Sequence, residues 1–125
     1  FGSRALGEGD ETSDWDLLVL AEDLPDRTLE RYQFIKRLLP PAWRSRLAIL
    51  AKTPEEFESH LPPLWLDIAL DGVILYDPGD FAEDRLNSLK RLIQHKGLIR
   101  ESIGRDLVWR WKNFPGFGWS MQLGE

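Results

Sequence analysis

The chain has no cysteine and only two histidines, His60 and His95, in 125 residues. The lack of cysteine excludes a disulfide scaffold, a thiolate metal site and a cysteine nucleophile. Two histidines far apart in sequence argue against a histidine-rich zinc site. No apolar run approaches the ~20 residues that a membrane span needs, and no basic segment precedes an apolar stretch near the N-terminus. We therefore expect a cytoplasmic protein that does not enter a membrane.

The composition is that of an ordinary globular domain, with 42% apolar and 30% charged residues. The net charge of −5 conceals an uneven distribution: residues 1–30 carry nine acidic and two basic residues, whereas residues 85–112 carry eight basic and two acidic ones. An acidic segment suits divalent cations, and a basic segment suits phosphates or an acidic partner. Both segments can equally be solvated surfaces without a partner.

Strands and helices alternate along residues 14–97. Apolar runs predict strands over residues 14–20, 46–51 and 73–76. Thr53-Pro54-Glu55-Glu56 is a capping box with proline at the first helical position, so it predicts a helix start. A short helix over residues 63–70 should end at Gly72, and a long helix from Asp80 should end at Gly97. This alternation predicts a small α/β or α+β domain.

Two polar motifs near the N-terminus suggest chemistry. Gly2-Ser3 is followed after ten residues by Asp14-Trp15-Asp16. Side chains alternate along a strand, so Asp14 and Asp16 should project from one face with their Cα atoms ~6.5–7 Å apart, where two carboxylates can hold Mg²⁺. A Gly-Ser turn that enters a short helix offers N–H groups and a hydroxyl to phosphates. The alternatives are a solvated strand edge for the aspartates and a helix N-cap for Ser3.

The segments Phe-Gly-Ser-Arg-Ala-Leu-Gly-Glu-Gly (1–9) and Ser-Asp-Trp-Asp-Leu-Leu-Val (13–19) together resemble the signature of the minimal nucleotidyltransferases of the polymerase-beta-like superfamily. A weaker similarity continues to about Tyr76. The resemblance implies a small mixed β-sheet flanked by helices and transfer of a nucleoside monophosphate from a nucleoside triphosphate, with loss of pyrophosphate. The roles that it implies are nucleotide binding by Gly2, Ser3 and Arg4, and catalysis and Mg²⁺ binding by Asp14 and Asp16.

The sequence departs from the family pattern at one position. The pattern has a third carboxylate on the next strand, and alignment on Thr53 places Ala48 there. That carboxylate is the usual candidate for activating the acceptor hydroxyl. Asp67 and Asp71, four residues apart on a short helix, could substitute for it or be surface acids. We therefore expect nucleotide binding to survive better than catalysis.

Both ends of the chain carry further expectations. Phe1-Gly2-Ser3 resembles the end of a strand that runs into a turn, so we expect a helix and a strand upstream of Phe1. Residues 1–97 should form the nucleotidyltransferase-like domain, and residues 98–125 a basic, aromatic extension. Five aromatic residues lie within residues 109–119, and such a segment must dock on its own domain, on a second copy, on a partner or on a nucleobase.

The leading hypothesis is a Mg²⁺-dependent nucleotidyltransferase that acts on an unknown acceptor. An alternative is a catalytically weak binding module, because small members of this superfamily pair as antitoxins with helical HEPN-family proteins. RNA binding by the basic residues of 85–112 and the aromatic tail is a weaker third possibility.

Overall fold

The computed structural model describes residues 1–104 and 106–111. Contacts divide these residues into two compact units, one of residues 1–60 and 71–73, the other of residues 61–70, 74–104 and 106–111. The helices are α1 (Gly2–Leu6), α2 (Thr28–Leu38), α3 (Pro41–Arg44), α4 (Pro54–Ser59), α5 (Pro63–Asp71) and α6 (Phe81–Lys96). The strands are β1 (Trp15–Leu20), β2 (Leu47–Lys52), β3 (Leu98–Ile103) and β4 (Asp106–Trp111).

The first unit is built on a parallel pair of strands. β1 and β2 pair in parallel with Asp16 opposite Ala48 and Leu17 opposite Ile49. Their near-continuous apolar sequences are typical of parallel strands, whose two faces are both covered in larger sheets. The two strands confirm the predictions over 14–20 and 46–51 to within one residue.

Helices α2 and α4 are joined by a buried arginine. Arg31 of α2 is buried, and its Nη1 donates to Glu56 Oε1 at 2.6 Å and to the Ala51 carbonyl at 3.3 Å. Glu56 also closes the predicted capping box, because its Oε1 accepts from Thr53 N at 2.9 Å while its own N donates to Thr53 Oγ1 at 3.1 Å. Hydrogen bonds from Arg31 and then Thr53 hold the pKa of Glu56 down at about 2.

The second unit contains most of the buried apolar side chains. They lie on α5 and α6: Trp65, Leu66, Ile68, Ala69, Leu86, Leu89, Leu92 and Ile93. Strands β3 and β4 form an antiparallel hairpin in which Arg100 lies opposite Trp109. Asp67 of α5 binds both of these residues, because its Oδ1 accepts from Arg100 Nη1 at 3.2 Å and from Trp109 Nε1 at 2.9 Å. The hairpin is therefore tied to α5 by one carboxylate.

Helix α6 ends as predicted but is capped differently at its start. Gly97 takes a left-handed conformation with φ of 65°, which allows the helix to end there. At the N-terminus Asp80 has φ of 60° and makes no side-chain cap. Asp77 supplies the cap instead, its two carboxylate oxygens accepting from Ala82 N at 3.0 Å and Glu83 N at 2.9 Å.

Two local predictions were wrong. Residues 73–76 form no strand, and Leu75 and Tyr76 are 80% and 87% exposed. Gly72 does not adopt the left-handed conformation, and α5 runs one residue beyond the predicted end, to Asp71.

The α/β fold class is confirmed, with one parallel and one antiparallel strand pair in two small sheets among the described residues. Of the predicted extension over 98–125, residues 105 and 112–125 lie outside the described range. Within that range no helix is both long and apolar enough to cross a membrane.

Candidate active site

Helix α1 brings the Gly-Ser motif against β1. Phe1 occupies the N-cap position, and its backbone nitrogen donates to the Asp16 carbonyl at 2.9 Å. Ser3 lies within the helix, so the alternative role as N-cap is wrong; its carbonyl instead accepts from Glu8 N at 2.9 Å and Gly9 N at 3.1 Å. These bonds turn the chain back directly after the helix.

Gly2 lies against the Asp16 carboxylate. A β-carbon at position 2 would overlap Asp16 Oδ2 and lie 3.0 Å from its Cγ, and Gly2 has φ of +76°, which disfavours other residues. Asp16 is half-buried in this position. Because Gly2 has no side chain, the Asp16 carboxylate can lie directly beside the Gly2 backbone, which we expect to bind phosphates.

The two aspartates differ in their structural setting. Asp16 is the second residue of β1, whereas Asp14 precedes the strand and is exposed. No described basic residue forms an ion pair with either carboxylate. Mg²⁺ is commonly held by one or two carboxylates together with substrate phosphates and water, so this donor set and the cradle at Gly2 fit Mg²⁺. No group of three or more potential ligands occurs in the described part of the chain.

Ala48, where the family resemblance leads us to expect a third carboxylate, lies next to Asp16. Ala48 is the direct register partner of Asp16 across the parallel pair. Paired residues project from the same face of a sheet, with strands ≈ 4.8 Å apart. A methyl group therefore lies beside Asp16 at the position where the resemblance implies a third carboxylate. Asp67, one of the two possible substitutes, is bound to Arg100 and Trp109 within the second unit.

Arg4, predicted to bind the nucleotide, has protein partners. Its Nε and Nη2 donate to the Ser13 carbonyl at 3.3 and 3.1 Å, and its Cζ lies 4.6 Å from the centre of the Trp15 ring. Sequence reasoning missed these contacts. No motif signals them, because they depend on how α1 packs against β1.

The loop between α1 and Asp14 is held by its own side chains. Asp10 Oδ1 accepts from Thr12 N at 2.8 Å and Thr12 Oγ1 at 2.6 Å, and Asp10 N donates to Ser13 Oγ at 3.0 Å. The hydrogen bonds from Thr12 lower the pKa of Asp10 below its ordinary value. Asp10 is thus an acid with a local structural function.

The chain is similar to known proteins over most of its length. A family model described as nucleotidyltransferase domain matches residues 1–101. A protein of Methanocaldococcus jannaschii that is named a protein adenylyltransferase is 32% identical over 98 residues, which cover 75% of this chain and 67% of the relative. No solved structure matches. The match over residues 1–101 includes the Gly-Ser turn, both aspartates and Ala48, and the chain belongs to the nucleotidyltransferase domain family.

Proposed function

We propose that this protein binds Mg²⁺ and ATP and transfers AMP, with release of pyrophosphate, to a hydroxyl group on a protein. The observation that carries the proposal is the approach of Gly2 to the Asp16 carboxylate, which brings the expected phosphate cradle beside an expected metal ligand. The name of the archaeal relative supports AMP as the transferred group and a protein as the acceptor.

In the proposed reaction the acceptor oxygen bonds to the α-phosphorus, and the bond from that phosphorus to the pyrophosphate oxygen breaks. Gly2 and Ser3 hold the triphosphate through the backbone and hydroxyl of α1, and Asp14 and Asp16 hold Mg²⁺. Mg²⁺ bound there supplies charge neutralisation of the phosphates and orients them. The acceptor proton must leave as the new bond forms, and the Ala48 methyl cannot accept it.

The test follows binding and transfer separately. Calorimetry measures Mg²⁺-ATP binding by the full chain, and α-labelled ATP measures AMP transfer to protein, in the wild type and in Asp14→Ala and Asp16→Asn. We expect both variants to lose transfer and to bind Mg²⁺-ATP more weakly. Asp26→Ala, an exposed aspartate of the same unit, is the matched control and should behave as the wild type. Equal binding by wild type, Asp14→Ala and Asp16→Asn would overturn the proposal.

The pairing of Ala48 with Asp16 favours a second candidate function, a nucleotide-binding module that acts through a partner, such as a HEPN-family protein. Such a module would bind Mg²⁺-ATP through the same four residues without transferring AMP. The two candidates separate in one experiment: transfer by the wild type at ordinary rates supports the enzyme. Binding without transfer to any protein acceptor supports the module.

A further inference from the structure

Arg4 contacts the residues on both sides of Asp14. Two of its guanidinium nitrogens donate to the carbonyl of Ser13, which precedes Asp14, and the guanidinium lies over the ring of Trp15, which follows it. Trp15 is 45% exposed, so the arginine covers part of a ring that would otherwise face solvent. Both contacts lie within the first unit.

The strand ladder does not hold Asp14. Pairing of β1 with β2 begins at Trp15, whose N donates to the Arg46 carbonyl at 2.9 Å. Asp14 lies one residue before that bond and is exposed. The contacts of Arg4 with the Ser13 carbonyl and the Trp15 ring therefore add to the hydrogen bonds that hold the chain on the two sides of Asp14.

The Arg4 side chain is directed away from the Asp16 carboxylate. The Arg4 guanidinium carbon lies 4.6 Å from the centre of the Trp15 ring. Gly2 faces Asp16, and Trp15 projects from the opposite face of β1 because side chains alternate along a strand. The guanidinium thus lies with Trp15 on the side opposite to the expected metal.

Gly9 leaves room for the stem of Arg4. A β-carbon at position 9 would lie 2.9 Å from Arg4 Cδ and 3.3 Å from its Cγ. Gly9 N donates to the Ser3 carbonyl, which fixes the loop over this stem. The loop and the arginine are therefore packed together, and a change at position 9 would disturb Arg4 without touching Asp14.

From these contacts we infer that Arg4 is a positioning residue for Asp14: it holds the Ser13 carbonyl and the Trp15 ring on the two sides of this residue and does not bind the nucleotide. The inference rests on the proposed function, in which Asp14 is a Mg²⁺ ligand. A planar guanidinium can donate two bonds to one carbonyl while it stacks on a ring, and a lysine ammonium cannot do both. A phosphate contact, in contrast, needs mainly the positive charge.

The experiment compares Arg4→Lys and Gly9→Ala with Arg37→Lys, an exposed arginine of α2, as the control. The full chain is labelled with 5-fluorotryptophan, and the Trp15 fluorine signal is assigned by its loss in Trp15→Phe. We expect Arg4→Lys and Gly9→Ala to shift this signal in the nucleotide-free chain, and Arg37→Lys to leave it unchanged.

Mn²⁺ then serves as the metal probe, its binding measured by electron paramagnetic resonance with saturating non-hydrolysable ATP analogue. We expect Arg4→Lys to weaken Mn²⁺ binding about 10-fold, as changes to groups that orient metal ligands commonly do, and to change the KM for ATP less than about 2-fold. Gly9→Ala should act in the same direction, and it decides the question if Arg4→Lys does not fold.

Two results would overturn the inference. One is an unshifted Trp15 signal in both Arg4→Lys and Gly9→Ala. The other is that Arg4→Lys binds Mn²⁺ and ATP as the wild type does, whereas Arg4→Ala raises the KM for ATP about 10-fold. That pair of results would make Arg4 a phosphate ligand. Failure of the wild type to bind Mn²⁺-ATP would overturn the proposed function instead, and the fluorine signal of the nucleotide-free chain would still decide whether Arg4 holds residues 13 and 15.

Discussion

The importance of the space that Gly2 leaves beside Asp16 can be tested by comparing alanine substitutions at Gly2 and at Gly7, a glycine of similar conformation. Gly2→Ala introduces a β-carbon that overlaps Asp16 Oδ2, whereas Gly7→Ala, at φ of +73°, has nothing within 4 Å. Both variants share a backbone cost of about 1–2 kcal/mol in thermal unfolding. We expect only Gly2→Ala to weaken Mn²⁺-ATP binding, by about 10-fold, in calorimetry. Equal binding losses in the two variants would show that the clearance beside Asp16 has no function.

Ala48→Asp places a carboxylate beside Asp16. We expect it to raise the rate of AMP transfer by about 10²-fold, the lower end of what a positioned base contributes, with little change in ATP affinity. Single-turnover transfer and calorimetry measure the two effects. Ala48→Asn, of the same size but without the charge, is the control and should not raise the rate. A wild type that already transfers at ordinary rates would mean that another acid serves as base.

At the scale of residues, the sequence supplies the positions of the candidate site but not all of their contacts. Gly2-Ser3, Asp14 and Asp16 are found from two short motifs, and Ala48 from the resemblance to the family pattern, although nothing yet tests their roles. Arg4 is different, because its contacts with Ser13 and Trp15 depend on the direction in which a five-residue helix presents its side chain. An arginine next to a Gly-Ser motif therefore suggests an anion ligand until the helix faces are considered.

At the scale of elements, the contact between α2 and α4 should depend on pH. The pKa of Glu56 falls from an ordinary 4.5 to about 2 in the folded chain, so its stabilising contribution is complete above about pH 4.5 and is lost as the pH falls toward 2. Glu56→Gln keeps a capping-box side chain but removes the charge that Arg31 binds. We expect a lower melting temperature at pH 7 and a smaller fall on acidification, measured by circular dichroism. Glu55→Gln, an exposed neighbour, should match the wild type, and similar curves for all three would contradict this prediction.

Elements with local end signals are predicted well, and elements that need a partner are not. Thr53 and Glu56 specify the start of α4, and Gly97 ends α6, because the necessary bonds lie within a few residues. Val73-Ile74-Leu75-Tyr76 has strand-forming residues, but in the described structure no neighbouring strand pairs with it. A strand is stabilised by cross-strand pairs, which a single segment cannot specify.

The exposure of this segment gives a further prediction. Leu75→Ser should change the free energy of unfolding by no more than about 0.5 kcal/mol, because the side chain is already largely in solvent. Urea unfolding measures this change. Leu89→Ser, at a buried position of α6, is the contrasting variant and should be strongly destabilising. A comparable loss from Leu75→Ser would show that residues 73–76 are covered in solution.

At the scale of the whole molecule, the buried apolar side chains are distributed unevenly. Eight of those described lie in the second unit, and Phe57 is the one in the first. Local opening follows the density of buried contacts, so amides of β1 and β2 should exchange with solvent on the order of 10-fold or more faster than those of α6. Hydrogen–deuterium exchange with mass spectrometry measures both regions in one experiment. Equal protection of β1 and α6 would contradict this expectation.

Because the first unit has a sparse interior, the nucleotide proposed to bind there would supply a large part of its stability. A nucleotide that binds the folded but not the unfolded state, present at 100 times its Kd, raises the free energy of unfolding by about 2.7 kcal/mol. This is a large fraction of the stability of any small unit. Thermal melting in the presence of candidate nucleotides and metals is thus a sensitive screen for the natural substrate. By the same linkage, the lifetime of this protein in a cell would follow the supply of that nucleotide, and depletion would expose β1 and β2 to proteolysis first.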